Sequence, residues 1–354
     1  MSSCSNDDDL GKELEGFNRK ALLENTVDYV IIPQIYQFDK QLNMLKVVVE
    51  QFTMNPTLLN LELAKKQWVR LMKEWKDCEL HNYGKINESF IYDKLDTWPS
   101  NSNFIERFIS SNDSIDENYI SFKGTSSKGL PSIEYFLFGE TGNSLTVLDS
   151  FMLSPVSRRR KQYLNATVAD AITQSHNLLS LWRNDYRNSF IEGDGNNLKG
   201  SINLLVNQMT FLSENVLKTK LGKPMGKNNG LAPDSSLLEA RASKQSLSHI
   251  KRNVLSLKNA FHCLDTNNNN LVGVDDYLTH TLGNEELTER IRNQFNVLDV
   301  SLNQINESLA TALINQPQEL ENAYQELKKL LILIKVDMSS SLSILITFND
   351  NDGD

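Results

Sequence analysis

The sequence predicts an all-α protein built as two helical bundles side by side, and three observations carry that reading. Only 16 glycines and 8 prolines interrupt 354 residues, too few breakers for a fold of many short strands. Apolar residues recur at three- and four-residue steps along most of the chain, the period of a helix with one buried face. The chain is also longer than one comfortable helical core, which favours two packed units.

A polar, acidic leader, MSSCSNDDDL, comes first. From about Asn25 to Gln51 a helix places Val30, Ile35, Phe38, Leu42, Leu45 and Val49 on one stripe, and Pro33 is expected to kink it. A second helix, from about Thr57 to Leu80, turns Leu61, Ala64, Trp68, Leu71, Trp75 and Cys78 toward the core. Residues 81–127, rich in Asn, Ser and Asp, predict short helices and loops. In the stretch SSKGLPSIEYFLFG, Pro131 marks the first turn of a short helix that ends at Gly139. Leu130, Glu134, Leu137 and Phe138 stand there at i, i+4, i+7 and i+8, so a carboxylate enters the apolar stripe. A buried carboxylate needs a partner.

Ser154 as N-cap and Pro155 as first residue open the longest pattern, which carries Leu164, Val168, Ile172, Ser175, Leu179, Trp182, Tyr186 and Phe190 as far as a GDGNN break. Further helices are expected at about 198–221, 244–264, 275–282, 285–314 and 317–346. Residues 222–242 form a long loop rich in Gly, Pro and Asn, of the kind that carries function or moves. The division that follows is a disordered leader over 1–9, an N-terminal bundle over 10–154 and a C-terminal bundle over 155–354.

Apolar residues at 40% and charged ones at 23% are ordinary for a globular protein, and a net charge of −9 argues against non-specific binding of nucleic acid. The most apolar run, LLILIKV, is too short to span a membrane and contains Lys335. Cys4, behind small serines and ahead of an acidic run, resembles the junction at which a bacterial lipoprotein is cleaved and acylated. A lipid anchor on Cys4 is therefore the expectation, without the apolar stretch that precedes such a junction; a merely polar leader is the alternative. Cys78 and Cys263 both fall in predicted helices, as buried free thiols or, if close enough, as one bridge.

Several stretches taken in order resemble the imelysin family over nearly the whole chain: VIIPQIYQF, AKKQWVRLMKEW, DTWPSNSNFIERFI and GLPSIEYFLFG in the first half, then LGKPMG, EARASKQSLSHIKRNVLSL and ITFNDNDGD. The resemblance implies two four-helix up-and-down bundles with a groove between them. It also implies a bacterial cell-envelope protein linked to iron uptake, with iron or another divalent cation and iron-uptake partners as candidates. The family's Gly-x-His-x-x-Glu signature falls on Gly129, Pro131 and Glu134, so the histidine position is a proline that cannot ligate a metal. A second family motif falls on Glu239, Arg241, Ser243 and Ser246, and the two motifs are expected to face each other across the groove.

Glu134 is the leading candidate site residue. It either binds a cation or basic group, with Gly129 admitting a close approach, or is a structural acceptor for an arginine such as Arg241 or for backbone N–H groups of the loop. A zinc peptidase, the second reading, usually needs several histidine ligands and a general base. His81, His176, His249, His262 and His280 include no His-Glu-x-x-His pair and read as ordinary polar residues. A module that docks a protein partner is the third reading. DTNNNNLVGVDD lacks the glycine and glutamate of a calcium loop, and DNDGD only begins one. GKPMGKNNG lacks the Ser or Thr of a phosphate loop, and SRRRK reads as a solvated helix face.

Overall fold

The computed structural model describes residues 17–195, 197–227 and 230–347. Cys4 and the terminal DNDGD lie outside these residues. The described residues contain helices and no strand, apart from an isolated antiparallel bridge between Leu264 and Asn270.

Four helices form the first group: α1 (Ile32–Met54), α2 (Leu58–Cys78), α3 (Gly129–Phe138) and α4 (Ser157–Ser180). Helical winding reaches back from α1 through a π-helical turn, Thr26–Ile31, to Arg19–Asn25. The π-turn lies immediately ahead of Pro33, which cannot donate to a carbonyl one turn back. Only three residues join α1 to α2, and Thr57 caps α2 by accepting the Asn60 N–H at 3.2 Å, so the two pack as a hairpin. Leu61, Ala64, Trp68, Leu71, Trp75 and Cys78 are all buried on the expected stripe of α2. Burying each large apolar side chain contributes about 1.5–3 kcal/mol, and both indoles keep a polar partner: Trp68 Nε1 donates to Leu130 O at 3.2 Å, Trp75 Nε1 to Asp96 Oδ2 at 2.5 Å.

The second group is α5 (Ser201–Glu214), α6 (Ser246–Phe261), α7 (Glu285–Gln304) and α8 (Pro317–Ile332). Each packs on its neighbours in a closed ring, α5 on α6, α6 on α7, α7 on α8 and α8 on α5. The groups meet where α2 packs on α6, and one apolar cluster runs unbroken from Leu22 to Leu342 across both. Cys78 and Cys263 are buried free thiols.

Three sequence expectations need correction. The helix expected to open with Ser154 as N-cap and Pro155 as first residue begins at Ser157 instead, after Val156, and no side chain caps it. The sequence division places the helix after Pro155 in the second unit, whereas α4 packs on α1, α3 and Glu117–Ser121, so residues beyond 154 complete the first group. Its stripe of Tyr163, Leu164, Val168 and Leu178 is buried. The single helix expected over 285–314 is two, because Ile305 is extended and Ser308 caps a new helix, Leu309–Asn315. The side-chain oxygen of Gln316 accepts the N–H groups of Asn306 and Glu307, both at 3.2 Å, which satisfies the backbone of the break.

Candidate functional site

Gly129 begins α3 with φ +72°, and a Cβ there would lie 2.4 Å from the Leu95 carbonyl oxygen and 2.7 Å from that of Lys94. Only glycine fits. The close approach it admits is that of backbone rather than ligand, and it seats α3 on the short helix Ile91–Leu95, next to Asp96. Pro131 is the third residue of α3, where no intrahelical hydrogen bond is lost. One turn on, Leu130 and Leu137 are fully buried, while Glu134 is only partly covered and lines a small cavity.

The second motif forms the opposite wall of that cavity. Ser243 donates its backbone N–H to Glu134 Oε1 at 2.9 Å and its hydroxyl to Ala240 O at 3.1 Å. Ser246 Oγ donates to Glu239 O, closing the loop on itself. Ala240 and Lys244 both hold left-handed backbone, at φ 48° and 60°, which costs of order 1 kcal/mol each and persists only where surrounding contacts impose it. Arg241 is exposed and reaches Glu140 at 3.5 Å rather than Glu134. The cavity, about 110 Å³, lies among Trp98, Pro99, Pro131, Glu134, Tyr135 and Arg241. Burial pushes the Glu134 carboxyl up to about 7; the Ser243 bonds pull it down, and the charges of Glu239 and Asp96 add to the rise.

Behind the loop lies a buried ion cluster. Lys76 Nζ donates to Asp96 Oδ2 at 2.9 Å, to Glu239 Oε1 at 2.6 Å and to Glu79. Lys220 Nζ reaches Glu79 Oε2 and Asn253 Oδ1, both at 2.8 Å, and Glu239 Oε2 at 3.3 Å. Burial alone would lower the ammonium of Lys76, but Asp96, Glu239 and Glu79 overcome it and hold Lys76 well above the usual lysine range. Burial likewise works to raise Glu239, and the two lysines more than reverse it. His249 stands 3.6 Å from Glu239 Oε2, and burial drives its imidazole below the usual range.

Glu79, Asp96 and Glu239 form the group of potential metal ligands among the described residues, with oxygens within 4.8 Å of one another. The ammonium of Lys76 already sits among all three and supplies their counter-charge. Glu134 is not in that group. Among the described residues, no cluster of three His, Cys, Asp or Glu ligand atoms includes it; Glu140 is the other carboxylate lining the same cavity.

The structure thus brings Pro131, Glu134 and Arg241 to one cavity and puts Ser243 on Glu134, while Gly129 and Ser246 shape the backbone and Glu239 turns into the ion cluster. Sequence reasoning missed Lys76, Glu79, Asp96 and Lys220. Asp96 opens the stretch DTWPS, and Lys76 and Glu79 share a helix face at i, i+3, but nothing local tells a buried lysine from a solvated one. Of the histidines, only His249 adjoins the site: His81 bonds Gln34 at 2.7 Å, His176 pairs with Asp39 at 3.2 Å, and His262 pairs with Asp275 at 2.7 Å. The calcium look-alike is closed by its own turn, in which Asp265 Oδ1 accepts the N–H groups of Asn267 and Asn269, both at 2.8 Å.

Residues 31–334 match the model of a protein family described as Imelysin. Iron-regulated protein A of Synechococcus elongatus is 21% identical over 161 residues, 46% of this chain; the chain spans about two-fifths of that relative, 40% of its length. A crystal structure described as an iron-regulated protein A precursor from Parabacteroides distasonis superposes with a TM-score of 0.76 at 20% identity, covering 92% of this chain and 95% of that one. An imelysin-like protein from Psychrobacter arcticum gives 0.76 at 18% identity, covering 93% and 97%. At these identities the likeness establishes the fold.

Proposed function

The chain belongs to the imelysin family, and we propose that it is a ligand-binding module of the bacterial cell envelope, with its binding site at the Glu134 cavity between the two helical groups. One observation carries the reading: Glu134 faces a cavity of about 110 Å³ with a backbone N–H as its hydrogen-bond partner, while the neighbouring guanidinium of Arg241 is turned to Glu140. A carboxyl held near neutrality by burial, at the wall of a cavity, suits a ligand that brings positive charge. The class that fits is a cationic group small enough for the cavity.

The link to iron rests on relatives described as iron-regulated, and the envelope location and the lipid anchor on Cys4 rest on family resemblance and the leader. A metal-dependent peptidase is the alternative. The geometry favours it less, because His249 alone among the histidines adjoins the site and it faces Glu239 rather than Glu134.

The test is a titration followed at the Ser243 amide by nuclear magnetic resonance, with guanidinium, spermidine, and ferric, zinc and calcium salts as probes. A saturable shift with an organic cation in the wild type, lost in Glu134→Gln, supports the reading. A Ser243 amide that no probe moves, or that moves equally in the variant, overturns it. A shift with zinc alone, accompanied by cleavage of a peptide substrate, would favour the peptidase.

A further inference from the structure

On the other side of the 239–245 loop from the Glu134 cavity lies a larger groove, about 580 Å³, bounded by one face of α2 and by residues near 141–144 and 242–245. Its α2 wall presents Glu62, Lys65, Lys66, Arg70 and Lys73, spaced at i, i+3, i+4, i+8 and i+11, and Lys244 closes it from the opposite loop. Five cations face one carboxylate on a chain whose net charge is −9.

The cations divide into two kinds. Lys65 is buried and internally satisfied, donating to Ser144 Oγ at 2.6 Å and to Glu62 Oε1 at 3.2 Å, with its ammonium 5.2 Å from the Phe138 ring. That pairing also accounts for the groove's one acid, since burial works to raise Glu62 while Ser144 and Lys65 bring it below the usual range. Lys66, Arg70, Lys73 and Lys244 are exposed, and among the described residues none has a carboxylate within ion-pair distance. Lys66 and Arg70 are like charges at i, i+4, and Arg70 and Lys73 at i, i+3, a spacing that repels by a few tenths of a kcal/mol per pair.

The walls are set by backbone. Gly142 has φ +76°, and a Cβ there would lie 2.7 Å from the Ala242 carbonyl oxygen, so glycine lets the two loops meet. Lys244 holds its left-handed conformation at φ 60° on the same loop whose Ser243 grips Glu134. Lysine in the left-handed region is uncommon and persists where surrounding contacts impose it. The groove is thus a shaped concavity with a clear excess of positive charge, since Glu62 is its one acid and lies beside Lys65 and Lys66.

We infer that this groove binds a multivalent oxyanion, with a phosphate-bearing group as the ligand chemistry, held by Lys66, Arg70, Lys73 and Lys244. Phosphate presents three acceptor oxygens to ammonium point charges and one guanidinium fork, and binding removes the repulsion along α2. The source is either a free phosphorylated molecule or the headgroup of an anionic lipid. The inference goes beyond the Glu134 reading, concerns a cavity of opposite charge and stands whether or not Glu134 binds a ligand.

The experiment is calorimetric titration of the protein with inorganic pyrophosphate at low salt, repeated with phosphatidylglycerol vesicles in a flotation assay. The comparison variant is Lys66→Gln/Arg70→Gln/Lys244→Gln, whose changes fall on exposed side chains; its melting curve checks folding. Pyrophosphate binding that weakens at least about tenfold in the variant and with added salt supports a free anion. Vesicle binding that the variant loses, without binding of pyrophosphate, supports the headgroup. Binding of neither, or equal binding by the folded variant, overturns the proposal. Should the triple variant not fold, Lys66→Gln and Lys244→Gln singly must each weaken binding; if either does not, the proposal fails.

Discussion

The ammonium of Lys76, from α2, lies 2.6 Å from Glu239 Oε1, so a helix of the first group supplies the counter-charge for a loop that leads into α6 of the second. Both side chains are buried, at 0% and 5% exposed. Removing Lys76 leaves Glu79 and Glu239 with Lys220 and leaves Asp96 without an ammonium partner. Lys76→Met is expected to destabilise the fold by about 3–5 kcal/mol, and adding Glu239→Gln should recover part of that loss. Urea unfolding of the four proteins in the cycle measures both; additive losses would mean the pair is not coupled.

Gly129→Ala tests the close approach that seats α3. A Cβ at φ +72° and 2.4 Å from a carbonyl oxygen has nowhere to go, and the loss should reach at least about 2 kcal/mol. Gly124→Ala is the contrast, since a Cβ there meets nothing within 4 Å and the change should be neutral or slightly stabilising. Thermal melts of the two variants decide the matter, and equal melting temperatures would remove the steric argument.

His81 should make the protein acid-sensitive. Burial drives its imidazole down to about 3, whereas the unfolded chain titrates near the ordinary value, about 6.5. Between those values the unfolded state binds the extra proton. The contribution of His81 is therefore complete above about pH 6.5 and is lost as pH falls, by up to about 1.4 kcal/mol per pH unit. In His81→Gln the fall of unfolding free energy between pH 6 and 4 should be shallower; an unchanged slope would contradict this.

How much of this was legible in the sequence depends on range. The α2 stripe and the α3 boundaries follow from period and from Pro131 and Gly139, which act within a turn or two. The assignment of α4 to the first group was not legible, because an amphipathic stripe says that a face is buried and not against what. The cavity was half legible. Family resemblance named Glu134 and the Glu239–Ser246 stretch, but that Ser243 rather than Arg241 would hold the carboxylate depends on the left-handed turn at Ala240, which no residue type announces. The ion cluster was not legible, since its members come from positions 76, 79, 96, 220 and 239 and only folding makes them neighbours.

Glu134 should titrate with the opposite sign to His81. Its carboxyl is raised to about 7 in the folded chain against about 4.5 when solvated, so across that window the folded state holds the extra proton. The contribution of Glu134 is most favourable below about pH 4.5 and declines as pH rises toward 7, by up to about 1.4 kcal/mol per unit. Glu134→Gln lacks that decline. Relative to the wild type it should gain stability from pH 4.5 to 7.5 in urea unfolding, and a constant difference would count against a raised value.

The central claim is that Glu134 is a cavity-lining acid poised near neutrality, and its own titration tests this most directly. Infrared difference spectra between wild type and Glu134→Gln, taken from pH 3 to 9, report the protonated carboxyl band of that residue. A midpoint near 7 is the predicted result. A midpoint near 4.5, about the value of a glutamate in open water, would contradict the account.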